Sequence, residues 1–202
     1  MSAGQVAAQA QIYLGGSWSP APQAAVKAKV KVANNGGDLT LSAGDATMVI
    51  SGQTGLVSLY ARGSVVFISD GATIRPNFWR APTDNDMGAG LHRLFALWRN
   101  PQLVLTSLTS DHDKKAGTVS AVAKFSMPSV KSSLTIEYSL RGSDGSLSVR
   151  QTLTPNPGAQ VPGMFRYGLA IQLPDDMNIS RPVFFIVVTT TVWVISKSSN
   201  IV

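Results

Sequence analysis

From Val26 to Val32 the chain alternates apolar and basic positions: Val26, Ala28, Val30 and Val32 on one side, Lys27, Lys29 and Lys31 on the other. A period of two is that of a strand with one wet face. Asn34-Asn35-Gly36-Gly37 reads as a turn. Further strands are predicted over Leu39–Ala43, Ala46–Ile50, Leu56–Tyr60 and Ser64–Ser69, with Ser51–Gly55 as a hairpin loop. After a break the pattern resumes over Leu103–Leu108, Gly117–Phe125, Ser133–Leu140, Leu147–Leu153 and Tyr167–Leu173. Ser143-Asp144-Gly145 is a hairpin turn between two of these runs, and Pro155-Asn156-Pro157-Gly158 breaks the sheet. No internal repeat is visible. Short strands at such regular spacing predict an all-β fold, an antiparallel sandwich with one short helix.

The break runs from Arg75 to Asn100. Pro76 and Pro82 fix their own φ and push Arg75 and Ala81 toward extended backbone. Phe78 and Trp79 carry more apolar area than an exposed loop uses, which predicts a rigid, partly buried loop anchored by its aromatics. Asp84, Asn85 and Asp86 are residues that bond to nearby backbone N–H groups and hold tight turns. Beyond Gly88 and Gly90, Leu91, Leu94, Phe95 and Trp98 fall at i, i+3, i+4 and i+7, the stripe of one short helix that Pro101 ends.

Composition narrows the function. At 202 residues, 44% hydrophobic and 14% charged, the chain is long enough for one sizeable core and too apolar for global disorder. It has no cysteine, which excludes disulfides and thiolate metal sites. Together with the lack of a charged and apolar leader, that points to the cytoplasm. The net charge of +6 invites a nucleic-acid reading. However, Lys27, Lys29, Lys31, Lys114, Lys115, Lys124 and Lys131 are scattered, with no basic run interleaved with aromatics, so a solvated face is expected and no nucleic acid. The apolar run Val183–Ile195 is 13 residues long, against the ~20 that cross a bilayer, so no membrane span is expected.

Candidate chemistry is sparse. Asp84 and Asp86 form the one close carboxylate pair in a rigid loop, where turn formation and capping are their usual work. The two histidines are His92 and His112. His112 falls in Asp111-His112-Asp113-Lys114, a hydrophilic turn without a set of metal ligands. No serine sits in a nucleophile elbow, and no Gly-rich phosphate loop is present.

Phe78-Trp79-Arg80-Ala81-Pro82-Thr83-Asp84-Asn85-Asp86, with Gly88 and the aromatic helix behind it, resembles the hallmark segment of the last domain of large β-galactosidases, the family-two glycoside hydrolases. That domain is also called the β-galactosidase small chain. Ser51-Gly52-Gln53-Thr54-Gly55-Leu56-Val57-Ser58-Leu59 and Arg166-Tyr167-Gly168-Leu169-Ala170-Ile171-Gln172-Leu173-Pro174 agree with it in order.

The resemblance implies a two-sheet supersandwich of the galactose mutarotase type over residues 26–180, preceded at 1–25 by a tail or linker from an immunoglobulin-like domain. Residues 181–202 depart from the family as an apolar tail, which suggests a frameshifted end and an incomplete sandwich. The implied parent activity is hydrolysis of terminal β-galactosides by a retaining mechanism. Such a mechanism uses two carboxylates about 5 Å apart, and in the family both are glutamates of a preceding TIM barrel. This chain has one glutamate, Glu137, so it is expected to be inactive alone. It would serve as scaffold and substrate rim beside a barrel domain or a separate large chain.

By the same resemblance Phe78, Trp79, Arg80, Pro82, Asp84, Asn85, Asp86 and Gly88 form the loop that seats the domain, and Trp98, Arg99 and Asn100 are candidates for contacts to the sugar. Trp98 also completes the helix stripe, which favours the core. The family's magnesium and sodium are bound elsewhere, and no cofactor is expected in this chain. Two alternatives stand beside this. One is a non-catalytic carbohydrate-binding or small-subunit module. The other is a free-standing mutarotase, which would need a histidine and a carboxylate in one pocket.

Overall fold

The computed structural model describes residues 28–69, 71 and 73–172, and the backbone of one further strand, 187–192. The expected linker at 1–25, the first two positions of the basic strand and most of the apolar tail lie outside the described residues.

The alternation of the second half builds the stronger sheet. Strands β8 (Thr118–Met127), β9 (Ser132–Arg141) and β10 (Leu147–Pro155) pair antiparallel. Every second residue on each faces inward, so Ala121 lies opposite Tyr138 and Phe125 opposite Leu134 across the ladder. Side chains of complementary size thus fill one buried face. Strand β7 (Val104–Asp113) closes one edge. The other edge is β12 (Val187–Val192), which joins β10 in parallel. The second sheet runs in chain order through β1 (Val30–Asn35), β2 (Asp38–Ala43), β3 (Ala46–Ile50), β4 (Val57–Arg62) and β5 (Val65–Ile68). Leu39, Leu41 and Ala43 pair with Ile50, Met48 and Ala46 and share its buried face.

β2 lies over β8 and β9, and the two apolar faces enclose one core. This is the expected all-β sandwich. Two tyrosines stitch its layers. Tyr60 Oη donates to the carbonyl of Gly145 at 2.6 Å, and Tyr138 Oη to that of Gly55 at 3.2 Å. Burial raises the pKa of both phenols. Gly55 has φ +68, and a Cβ there would stand 2.6 Å from Leu105 Cδ1 and 2.8 Å from Phe125 Cζ, so a larger residue would be strained and would push both side chains aside.

Four local expectations are corrected. The first hairpin turns on two residues, Gly36 and Gly37, both at positive φ, while Asn34 and Asn35 remain in β1. Asp111, His112 and Asp113 are not a turn. They extend β7, held by ladder bonds to β8 rather than by an apolar face. Arg75, Pro76 and Asn77 belong to a strand, β6 (Ile74–Asn77), paired with β11 (Gly168–Ile171) in a separate two-stranded sheet where proline's missing N–H is tolerated. Finally, the expected single helix is split. α1 (Asp84–Gly88) occupies the polar trio, and α2 (Leu91–Leu94) gives way to a 3-10 turn at Ala96–Trp98.

Candidate functional site

The β6–β11 ribbon leads directly into the motif, whose Phe78 and Trp98 join the core of the sandwich. Asn77 Oδ1 accepts the N–H of Trp79 at 3.0 Å, a local bond that bends the chain straight after the strand. The bend sends Phe78 and Trp79 to different partners. Phe78 is buried against Trp98 (ring centroids 5.2 Å apart) and Tyr167 (5.6 Å). Trp79 meets the ring of Phe165 edge-on at 4.9 Å. Phe95 approaches Phe165 at 5.2 Å and the Arg80 guanidinium lies 4.7 Å from its centroid, so one phenyl ring is held from three sides. Trp98 is fully enclosed, and its indole N–H donates to the carbonyl of Pro162 at 3.0 Å. Burial in this layer pushes the Tyr167 phenol up to about 12.

The polar trio is organised by one carboxylate. Asp86 Oδ2 accepts from Arg80 Nη1 at 2.6 Å, from the Thr83 N–H at 2.7 Å and from Thr83 Oγ1 at 2.9 Å, while Oδ1 accepts from Arg80 Nη2 at 3.3 Å. Thr83 Oγ1 in turn accepts the Asp86 N–H at 3.3 Å, a reciprocal cap that starts α1. The Arg80 guanidinium, and then the Thr83 N–H, hold the Asp86 carboxyl far below the usual range. With its lone pairs engaged, Asp86 shapes the loop and is not presented to a substrate. Asp84 and Asn85 sit exposed on the first turn of the helix.

A family model described as "Beta galactosidase small chain" matches residues 42–181, more than half of the chain, and this loop lies within the match. The chain belongs to that family. It is 31% identical over 150 residues to the "Beta-galactosidase" of Priestia megaterium (strain DSM 319 / IMG 1521), a match covering 67% of this chain and 13% of that protein. It is 32% identical over 106 residues to the "Beta-galactosidase" of Lactobacillus delbrueckii subsp. bulgaricus, covering 52% of this chain and 10% of the relative. The chain thus spans a small part of the β-galactosidases it matches.

In this small-chain domain the three residues named for sugar contacts separate. Trp98 has neither a free face nor a free N–H, whereas Arg99 and Asn100 are exposed. Arg99 lines a cleft of about 520 Å³ together with His92 and the apolar walls of Trp79, Pro82, Met87 and Ala96. Among the described residues no oxygen-bearing side chain lines it, and they assemble no histidine–carboxylate pair of a mutarotase there. His112 lies exposed on β7. Among the described residues no three His, Asp or Glu side chains come together as a metal site, and no helix is long and apolar enough to cross a membrane. Phe165 is the residue that sequence reasoning missed. It stands directly before Arg166-Tyr167-Gly168, inside a stretch with no periodicity to mark it, and its partners lie about 70 to 86 positions upstream.

Proposed function

We propose that the chain is the C-terminal sandwich of a retaining β-galactosidase, serving as scaffold and substrate rim while a barrel domain or separate large chain supplies both catalytic glutamates. The family match over 42–181 supports this, and so does the chain's own acid inventory. Its one glutamate, Glu137, faces solvent on the outer side of β9, opposite Arg150 on β10 and 3.7 Å from it. A double displacement needs two carboxyls about 5 Å apart on either side of the glycosidic bond; in the resembled family both are glutamates, and this chain has one. The motif loop, locked by Asp86, seats the sandwich against the remainder of the enzyme. Asn100, exposed beside the buried Trp98, is the side chain left for the sugar side.

The test uses a β-galactosidase trimmed of its own small-chain domain. The isolated chain is expected to leave o-nitrophenyl β-galactoside intact, and addition of the chain to the trimmed enzyme is expected to restore hydrolysis. Turnover by the chain alone, or no restoration at any concentration, overturns the reading.

A further inference from the structure

The cleft beside the motif loop has a one-sided hydrogen-bonding character. His92 lines it, yet its Nδ1 is buried and meets no partner. A buried N–H without an acceptor is costlier than a bare lone pair, which assigns the ring proton to Nε2. Arg99 is exposed and makes no ion pair among the described residues. The Trp79 indole is also a donor only. Among the described residues the cleft therefore offers donors and a positive charge within apolar walls, and no side-chain oxygen to accept in return. A neutral sugar, which donates as often as it accepts, leaves its hydroxyl protons unmatched by these side chains. A carboxylate on an apolar stem matches them all.

The surroundings argue for a macromolecular source. Met87, which lines the cleft, is 51% exposed, and the same segment leaves Leu94 and Leu97 open by 61% and 52%. The nearby acids do not compete: Asp86 is held by Arg80 and Thr83, and Asp84 lies outside the lining. The β-galactosidases that this chain resembles extend far beyond the part it matches.

We propose that the cleft formed by Trp79, His92 and Arg99 receives a carboxylate side chain on an apolar segment of the rest of the β-galactosidase, and so fixes the register of the two parts. The inference rests on the reading above for the identity of the partner, and on the cleft alone for its chemistry.

The chemistry is tested on the full chain with phenylacetate as probe and neutral phenylacetamide as comparator, following the Trp79 indole N–H by NMR. Phenylacetate is expected to shift that signal saturably and to bind at least ~10-fold tighter than the amide, the scale of a charge-assisted pair. Arg99→Met should abolish the preference and His92→Leu weaken it, while His92→Gln, which keeps a donor, should retain it. Equal binding of the two probes, or a preference unchanged in Arg99→Met, overturns the inference. The partner is tested by restoring activity to the trimmed enzyme. Arg99→Met should raise the chain concentration for half-restoration roughly tenfold. Selective phenylacetate binding without restoration by the wild-type chain overturns the occupant and the functional reading, leaving a carboxylate cleft. Restoration without probe selectivity overturns the cleft and leaves the reading.

Discussion

The sandwich and the aromatic layer that hangs from it are held together in different ways. In the sandwich, β8, β9 and β10 bury alternate residues over nine or ten positions each, and register is set by hairpins between neighbours in sequence. Many modest contacts share the load. In the layer, a few aromatic rings from residues 78–98 meet a few from residues 162–167, and single groups such as Trp98 and Phe165 have several partners each. The first arrangement tolerates change at most positions. The second concentrates its stability in a handful of side chains and places them beside the cleft, where the proposed function lies.

Trp98→Ala gives the largest expected effect on this contrast. Truncating a fully buried tryptophan costs about 3–5 kcal/mol. Because β6 and β11 form a two-stranded sheet of their own, amide exchange over 74–100 and 161–169 should rise well before that of β8–β10. Uniform loss of protection would mean that the two regions unfold as one. Gly55→Ala probes the sandwich side. Crowding of Leu105 and Phe125 costs about 1–3 kcal/mol before the strain of an alanine at positive φ is added. Here the urea midpoint should fall with no region exposed ahead of the others.

Arg80→Met is a milder change, with a pH signature. The folded Asp86 carboxyl lies below its ordinary value of 3.8. Its contribution to stability is complete above that value and is lost as the pH falls toward the folded one. Removing Arg80 moves the folded value up and shrinks that contribution. The difference in Tm between wild type and variant should be greatest near about pH 6 and should close in acid. A difference independent of pH would instead place the effect of Arg80 in its contact with Phe165.

The same contrast explains what the sequence made legible. The strands of the sandwich announce themselves because one face is dry: Val119, Ala121, Ala123 and Phe125 alternate with Ser120, Val122 and Lys124, and Ser143-Asp144-Gly145 marks the turn. The apolar pattern ends at Leu108, short of the end of β7, because the last residues of that strand are polar on both faces and depend on the ladder to β8. α1 has five residues and no apolar face, and its one local signal was the Thr83–Asp86 spacing of the reciprocal cap. The stripe through Leu91, Leu94, Phe95 and Trp98 assumed 3.6 residues per turn. The tighter 3-10 turn at Ala96–Trp98 changes the angular offset and leaves Leu94 in solvent. The motif loop was recognisable as a string of residues, but the ring that organises it, Phe165, belongs to a distant segment that no local pattern connects to Trp79.

The two tyrosine bonds across the sandwich also bear on time. They join residues 85 and 83 positions apart, whereas the ladders of β8, β9 and β10 close over short hairpins. Contacts between distant positions require long loops to close first and are made late. Tyr138→Phe should therefore leave the refolding rate nearly unchanged and speed unfolding, the kinetic mark of a bond absent from the transition state. These hydroxyls would then act as latches: they do little to help the chain find its shape, and they lengthen the time it is kept.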